Sequence, residues 1–206
     1  MPTRDLEPTI RHPAPELGPR AQRAIERILD ATREVFLARG YGGASIDNIA
    51  QAAGVSRASF YTYFPTKRDA LLALGAGMSR HARALIRQLR QLGTDWTTDD
   101  LRSWAATMFA FLDEYGSFGL AWSQAAHEDD ELREAGMKTH LGTCRKLGDA
   151  MDELRGRGDG DPTLQGLLVF SMFERVWSQC RLYEPVVTVD DATGELATFL
   201  VALIER

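Results

Sequence analysis

Apolar residues recur at intervals of three and four positions along most of the chain, the spacing that gathers them on one face of an α-helix. Glycine and proline interrupt this pattern and divide it into about nine helices. From Asp95 onward the pattern stays helical and contains no internal repeat. We therefore expect an all-α protein with a three-helix N-terminal domain and a helical C-terminal bundle.

Two short helices joined at a glycine are predicted between residues 45 and 64. Ser45 is a good N-cap for the first, and Gly54 ends that helix because a tight turn is easiest without a Cβ. Ser56 can cap the second helix, whose Phe60 and Phe64 lie four positions apart and face the core. This arrangement predicts a helix-turn-helix.

The remaining faces of the second short helix carry hydrogen-bond donors and aromatic rings, which suit a DNA major groove. Arg57 can make a paired hydrogen bond to guanine, and Lys67 at the start of the next helix can pair with a phosphate. The alternative is that the aromatic residues only cover a core, because helix-turn-helix pairs also occur away from DNA. The candidate DNA-binding residues are Ser45, Ser56, Arg57, Ala58, Ser59, Tyr61, Thr62, Tyr63 and Lys67.

The segment GVSRASFYTYFPTKRDALL resembles the DNA-binding motif of the TetR family of one-component bacterial repressors. The resemblance rests on the cap at Ser56 and on the residues Phe60, Tyr61, Tyr63, Phe64 and Lys67. It implies an all-helical homodimer with an N-terminal three-helix head that binds a double-stranded DNA operator. It also implies a C-terminal body that binds a small-molecule effector.

The charge distribution agrees with a DNA-binding N-terminal part. The net charge of -5 argues by itself against a nonspecific nucleic-acid binder. However, residues 1–68 carry 10 Lys and Arg against 7 Asp and Glu, whereas the remainder carries 14 against 22. A basic head on an acidic body confines the attraction for phosphate to one end of the protein.

The domain boundaries follow from these patterns. Residues 1–19 contain five of the eight prolines and are expected to form a disordered arm, either a solvated tail or a contact to DNA flanks through Arg4, Arg11 and Arg20. Residues 20–65 are predicted to form the helix-turn-helix domain, and residues 66–206 the ligand-binding and dimerisation domain. The first helix is predicted to run from about Arg20 to Ala38 and to end near Gly40.

The C-terminal domain is predicted to contain six helices. The fourth helix of the chain begins at Thr66, where Asp69 completes a pair resembling a capping box. The fifth runs from about Asp99 to Tyr115, and Gly116 is expected to separate it from a short sixth helix that carries Phe118, Leu120 and Trp122.

The last three predicted helices also have recognisable ends. The seventh begins at Asp129 or Asp130 and runs to about Leu154. The eighth has Asp161 as its N-cap and Pro162 in its first turn, and it continues to Tyr183. Pro185 separates it from the ninth, at about Asp191 to Glu205.

Aromatic residues on two stripes of the fifth predicted helix require burial on two sides. They either interlock as core, the usual fate of such stripes, or line a cavity. The segments WAATMFAFLDEYGSF and FSMFERVWS resemble helices of the ethionamide-resistance-type repressors of the same family, which implies a tunnel for an apolar or amphipathic small molecule. The candidate ligand-binding residues are Trp104, Met108, Phe111, Tyr115, Trp122, His140, Thr143, Leu147, Phe170, Phe173, Glu174 and Trp177.

The last two predicted helices carry more apolar surface than one body needs. Pairing two copies through them would form a four-helix bundle and place two reading heads on successive major-groove segments. The residues concerned are Leu167, Leu168, Phe199, Leu200 and Leu203. We therefore expect a homodimer.

Other chemistry is weakly indicated. The cluster from His127 to Asp130 invites a metal, although it is more typical of an exposed helix start, and no second ligand set accompanies it. Cys144 and Cys180 indicate neither a disulfide framework nor a zinc site, and a redox-sensing role for either is a further alternative. No catalytic or phosphate-binding motif is recognised, so we expect no cofactor and no enzyme.

The sequence predicts a cytoplasmic repressor that does not enter a membrane, because no apolar run reaches membrane length and no apolar signal core is present at the N-terminus. An apolar or amphipathic effector would release it from a palindromic operator. The alternative is a DNA-binding architectural or interaction module with no small-molecule ligand.

Overall fold

The protein is all-helical in a computed structural model that describes residues 18–158, 160–183 and 187–205. These residues contain eight α-helices and no strand, which confirms the predicted fold class. Most of the predicted arm, including Arg4 and Arg11, lies outside the described residues, as does Pro185. The helices are α1 Pro19–Gly43, α2 Ile46–Ala52, α3 Arg57–Tyr63, α4 Lys67–Gln91, α5 Thr98–Glu128, α6 Asp130–Arg155, α7 Pro162–Arg181 and α8 Val189–Glu205, with a 3-10 turn at Gly93–Asp95.

The chain forms two compact units. The first unit combines the residues up to Met78 with Ser117–Gly136, and the second combines Ser79–Gly116 with the residues from Met137 onward. Helices α4, α5 and α6 therefore each contribute residues to both units. A domain boundary at residue 65 stays a prediction, and the compact unit that contains α1 to α3 extends beyond it.

The first unit has a core formed by the helices of the N-terminal domain together with parts of α4, α5 and α6. The side chains of Ile28, Ile49, Phe60 and Leu71 are fully buried in it. Phe118, Ala125 and Leu132 complete the same cluster from α5 and α6. Helices α1, α2 and α3 thus depend on residues far along the chain for part of their core.

Gly40 breaks α1 near its end, as the sequence predicts. Its φ of 67° lies in the left-handed region, and the chain resumes a helical turn that ends at Gly43. The backbone N–H of Tyr41 then donates to Oε1 of Gln124 at 2.7 Å. The break therefore directs the chain toward α2 and fixes that corner against α5 within the first unit.

The predicted break of the fifth helix at Gly116 is wrong, because α5 continues without interruption from Thr98 to Glu128. A Cβ at Gly116 would overlap the six-membered ring of Trp177. The Trp177 side chain is buried, and its Nε1 donates to Oδ1 of Asp113 at 2.8 Å, so the indole cannot easily move aside. Gly116 permits close packing and does not end a helix, so the fifth and sixth predicted helices are one.

Three of the predicted helix starts of the C-terminal part are confirmed. Thr66 and Asp69 exchange hydrogen bonds at 2.6 and 3.2 Å at the start of α4. Oδ1 of Asp129 accepts from the backbone N–H of Leu132 at 3.0 Å, which makes it a cap for α6. Asp161 is the N-cap of α7, accepting from the N–H of Thr163 at 2.8 Å.

Within the described ranges, no helix has both the length and the apolar character needed to cross a membrane.

Replacing Gly116 with alanine should lower the free energy of unfolding by about 1 to 3 kcal/mol, because the added methyl group overpacks a well-filled site. Gly142 is the matched control, since it lies in α6 with no atom near its would-be Cβ. Gly142→Ala should stabilise the protein by about 0.5 to 1 kcal/mol through helix propensity. Urea unfolding at one fixed protein concentration measures both, and equal effects of the two substitutions would contradict the packing role of Gly116.

Candidate nucleic-acid interface and ligand cavity

The helix-turn-helix is closed by the two serine caps that the sequence predicts. Oγ of Ser45 accepts from the N–H of Asn48 at 3.2 Å, while the N–H of Ser45 donates to Oδ1 of Asn48 at 3.2 Å. Gly54 has a φ of 63° at the turn. Oγ of Ser56 then accepts from the N–H of Ser59 at 3.0 Å and starts α3. Both capping serines are thereby committed to the backbone.

The inner side of α3 consists of aromatic rings. Phe60 and Phe64 are fully buried, with ring centroids 5.8 Å apart. Tyr61 and Tyr63 are half-buried against the same core, and Tyr61 meets Phe60 edge-on at 6.1 Å. Part of the aromatic content of the candidate set therefore supports the helix.

The outer side of α3 presents a short exposed surface formed by Arg57, Ala58 and Thr62. Oγ1 of Thr62 donates to the carbonyl of Ala58 at 3.0 Å, so the hydroxyl is tied to its own helix. Small side chains beside an arginine leave room for the helix to approach base edges. Of the nine candidates, five are exposed, namely the capping residues Ser45 and Ser56 and these three residues of α3.

Arg57 is held by two neighbours. Its Nη1 donates to Oδ2 and Oδ1 of Asp47 at 2.8 and 3.0 Å, and its Nη2 donates to Oη of Tyr61 at 3.2 Å. The bond to Tyr61 and the negative charge of Asp47 raise the pKa of Arg57 above its usual value. Sequence reasoning missed Asp47, because an acidic residue in the first turn of a helix is common and nothing in the spacing links it to Arg57.

Lys67 lies at the start of α4 and is half-buried. Its Nζ donates to the carbonyl oxygens of Tyr41 at 2.7 Å and Ala44 at 3.0 Å, and it lies 4.4 Å from the centroid of the Tyr41 ring. These contacts fasten the corner between α1 and α2. The phosphate contact of Lys67 stays a prediction, and its structural contacts were not visible in the sequence.

The second unit contains a small, partly open apolar cavity of about 10 Å³. Such a volume holds about one water molecule, whereas pockets for small-molecule ligands usually measure about 300 to 1,000 Å³. Six predicted ligand-binding residues line it, together with three residues of α4. The lining residues are Ala82, Leu85, Ile86, Trp104, Met108, Phe111, Thr143, Leu147 and Phe170.

Three other candidates of the second unit are held in the packing of the helices. Phe173 is fully buried, with its ring 5.8 Å from that of Trp104. Trp177 donates to Asp113, and Oη of buried Tyr115 lies 2.7 Å from Nδ1 of His81. These residues support the walls of the cavity and are not among its lining residues.

Trp122 belongs to the first unit, where its ring lies 5.4 Å from that of Phe118 and packs against the backbone of Gly136. The cavity-lining residues all belong to the second unit. Trp122 is therefore not among the cavity-lining residues.

His140 and Glu174 form a polar edge beside the cavity-lining residue Phe170. The ring of His140 meets Phe170 nearly perpendicularly at 5.2 Å. Burial lowers the pKa of His140, and the charge of Glu174 opposes that shift. His140 therefore favours its neutral form, in which it can both donate and accept a hydrogen bond.

Cys144, one turn after His140, is buried, and burial raises the pKa of its thiol to about 11. A thiol of this kind stays protonated at neutral pH and reacts slowly with oxidants. A redox-sensing role needs a thiolate, and the raised pKa of Cys144 argues against such a role for this residue. In the part of the chain that the structure describes, no three His, Cys, Asp or Glu residues converge as a metal-ligand set.

The family model for bacterial regulatory proteins of the tetR family matches residues 28–74, which contain the helix-turn-helix. The HTH-type transcriptional regulator SrpR of Pseudomonas putida is 37% identical over 95 residues, covering 45% of this chain and 40% of that protein. The HTH-type transcriptional activator FasR of Mycolicibacterium smegmatis is 34% identical over 140 residues, covering 65% and 59%. The HTH-type transcriptional regulator EthR of Mycobacterium tuberculosis is 31% identical over 90 residues, covering 44% and 41%. The chain thus spans less than two thirds of these relatives.

Solved structures share the fold. The fatty acid degradation regulator FadR of Bacillus halodurans aligns with a TM-score of 0.69 and 20% identity, covering 93% of this chain and 99% of that chain. FadR of Bacillus subtilis in complex with stearoyl-CoA has a TM-score of 0.66 and 19% identity, covering 86% and 97%. A regulator from Saccharomonospora viridis in complex with choline has a TM-score of 0.64 and 20% identity, covering 87% and 96%.

The capped helix pair, the exposed outer side of α3 and the match over residues 28–74 agree with one another, and this segment is similar to the tetR family of bacterial regulatory proteins.

Proposed function

We propose that this protein is a transcriptional repressor that binds a palindromic double-stranded DNA operator as a homodimer. In this proposal an apolar or amphipathic small molecule binds the second unit and releases the protein from DNA. The observation that carries the DNA-binding part is the exposed outer side of α3, where Arg57, Ala58 and Thr62 lie opposite the buried Phe60. A cytoplasmic location would follow from binding to bacterial DNA.

Recognition of bases would depend on Arg57. Arginine pairs with the O6 and N7 atoms of guanine, and the neighbouring Ala58 offers no bulk that would keep the helix out of the groove. The serine caps and buried rings fix α3, so the helix needs little rearrangement on binding. We propose repression as the outcome of DNA binding, although the relative FasR is a transcriptional activator.

The proposed effector site is the cavity bounded by α4, α5, α6 and α7. Its walls are apolar except for Thr143, and His140 and Glu174 lie at the edge formed by Phe170. This composition favours an amphipathic compound whose polar group reaches that edge. Stearoyl-CoA, bound by the B. subtilis relative, has such a character.

A ligand of that size requires the cavity of about 10 Å³ to open. The ligand would therefore select a conformation of the second unit that differs from the one described. It can weaken DNA binding only by as much as it prefers a conformation that binds DNA poorly.

The proposed dimer surface lies on α7 and α8. Leu164 and Leu168 lie one turn apart on α7 and are 53% and 62% exposed, while Phe199 of α8 is 58% exposed. Such large exposed apolar side chains on two helices favour an interface between copies. Leu200, which the sequence analysis assigned to this surface, is buried within the protomer and serves its core.

Arg57→Ala should weaken binding to the preferred duplex by about 5- to 150-fold and relax the preference for one base pair, because a bidentate arginine contact to guanine is lost. The duplex is the one that the wild-type protein selects from a random library, and fluorescence anisotropy measures its affinity beside that of a scrambled duplex. Arg39→Ala is the control, since Arg39 is an exposed arginine of α1. An unchanged ratio of the two affinities in Arg57→Ala would refute the assignment of Arg57.

Apolar and amphipathic compounds should raise the melting temperature of the protein in a thermal-shift panel of acyl-CoAs, fatty acids, steroids, choline and sugars. Phe170→Ala removes a ring from the cavity wall and should move the preference toward bulkier compounds. Met137→Ala, which truncates a side chain that is 56% exposed, should leave the ranking unchanged. Stabilisation by choline or sugars alone would contradict the proposed effector class.

Light scattering at micromolar concentration should give twice the chain mass of 22.9 kDa. Combining Leu168→Asp with Phe199→Asp should give a monomer, because two charges enter the apolar surface of each copy. Leu37→Asp changes a half-exposed residue of α1 and should remain dimeric. A monomeric wild-type protein would exclude the proposed assembly.

A further inference from the structure

The ion pair between Asp47 and Arg57 joins the two helices of the helix-turn-helix on their solvent side. Asp47 lies in the first turn of α2 and Arg57 in the first turn of α3, and their side chains are 63% and 58% exposed. Both carboxylate oxygens of Asp47 lie within 3.0 Å of Nη1 of Arg57. The charged end of Arg57 is therefore fixed from the neighbouring helix.

Tyr61 fixes the same guanidinium from α3 itself. Its Oη accepts from Nη2 at 3.2 Å, and its ring centroid lies 5.6 Å from Cζ. The tyrosine ring is half-buried against Phe60, so this contact rests on the core of the first unit. A long side chain that would otherwise sample many rotamers is held in one arrangement.

The arrangement leaves donors available. Arginine carries five N–H donors, and in the described chain Nη1 is directed at Asp47, while Nη2 makes one bond to Tyr61. The Nε–H and one N–H of Nη2 have no partner among the described residues. Two N–H donors are what a bidentate pair with guanine requires.

Folding stability accounts for only part of the role of a carboxylate at this position. An exposed ion pair adds little to stability. The start of α2 is capped by Ser45 and Asn48, and the negative charge of Asp47 in the first turn adds a favourable interaction with the helix dipole. A negative charge beside the recognition helix also opposes binding to phosphates. The two contacts to Arg57 are what distinguish Asp47 from an acid that only stabilises the start of α2.

We propose that Asp47 is a positioning residue for base recognition, which holds Arg57 so that its two remaining donors meet a guanine. The pair also has no net charge, so Arg57 attracts phosphates less and contributes more to sequence preference than to general affinity. This inference rests on the proposed function, in which α3 enters the major groove. It makes Asp47 a determinant of specificity although its own carboxylate accepts no bond from DNA.

The test compares five variants with the wild type in selection from a random duplex library, followed by anisotropy titrations. The variants are Asp47→Asn, Asp47→Ala, Arg57→Ala, the double variant Asp47→Asn with Arg57→Ala, and Glu34→Gln. Glu34 is an exposed acid of α1, so Glu34→Gln removes the same charge from the same unit without touching Arg57. Circular dichroism melts verify that each variant folds.

Asp47→Asn and Asp47→Ala should lower the ratio of the affinity for the preferred duplex to that for the scrambled duplex by about 5- to 20-fold. This loss is part of the discrimination that a bidentate contact provides. Both should bind the scrambled duplex at least as tightly as the wild type. Glu34→Gln should keep the wild-type ratio. In the Arg57→Ala background, Asp47→Asn should leave the ratio unchanged, because the residue through which it acts is gone.

Full discrimination in both Asp47 variants would overturn the inference, as would an effect of Asp47→Asn that persists without Arg57. Equal effects of Asp47→Asn and Glu34→Gln would show that Asp47 acts only through the net charge of the protein, and this result would also overturn the inference. If the wild-type protein selects no sequence from the library, the proposed function itself fails. If the wild type and the Asp47 variants select the same sequence equally well, only the inference about Asp47 fails.

Discussion

The burial of Phe60 and Phe64 determines which side of α3 meets solvent. Both rings are fully buried, and burying a side chain of this size contributes roughly 1.5 to 3 kcal/mol. Because they lie four positions apart, their burial fixes the rotation of the helix about its axis. Arg57, Ala58 and Thr62 are exposed as a consequence, and the proposed DNA contact depends on that rotation.

The same constraint gives roles to residues around α3. The cap at Ser56 sets where the helix begins, and Lys67 fastens the corner before α2 through two carbonyl oxygens. Tyr61 links the buried rings to Arg57. Residues that a sequence motif presents as one DNA-binding set therefore divide into those that build the helix and those that are open to a partner.

The second unit is organised by close helix packing. The ring of Trp177 lies over Gly116, and Asp113 accepts from both Trp177 and Arg181 at 2.8 Å. These contacts hold α5 against α7 beside the small cavity. The proposed effector would have to displace side chains in a region that is otherwise well filled, so its binding free energy would be divided between forming contacts and opening the cavity. Selectivity for large apolar compounds would follow, because small ones cannot offset that cost.

The sequence predicts the features that depend on local chemistry. The caps at Ser45, Ser56 and Asp161 and the break at Gly40 are all present, because each involves neighbouring residues or one backbone conformation. Gly116 was misread because a glycine that ends a helix and a glycine that admits a tryptophan look the same in sequence. The Asp47 pair was missed because it is formed by folding. The small volume of the cavity depends on how four helices pack, which the spacing of apolar residues in the sequence does not predict.

The most direct test is the affinity of the wild-type protein for its selected duplex, measured with and without the compound that stabilises it most. Saturating compound should raise the Kd for DNA by roughly 5- to 150-fold, and DNA should weaken compound binding by the same factor. An unchanged Kd at saturating compound would contradict this prediction and identify the protein as a DNA-binding module that no such ligand controls.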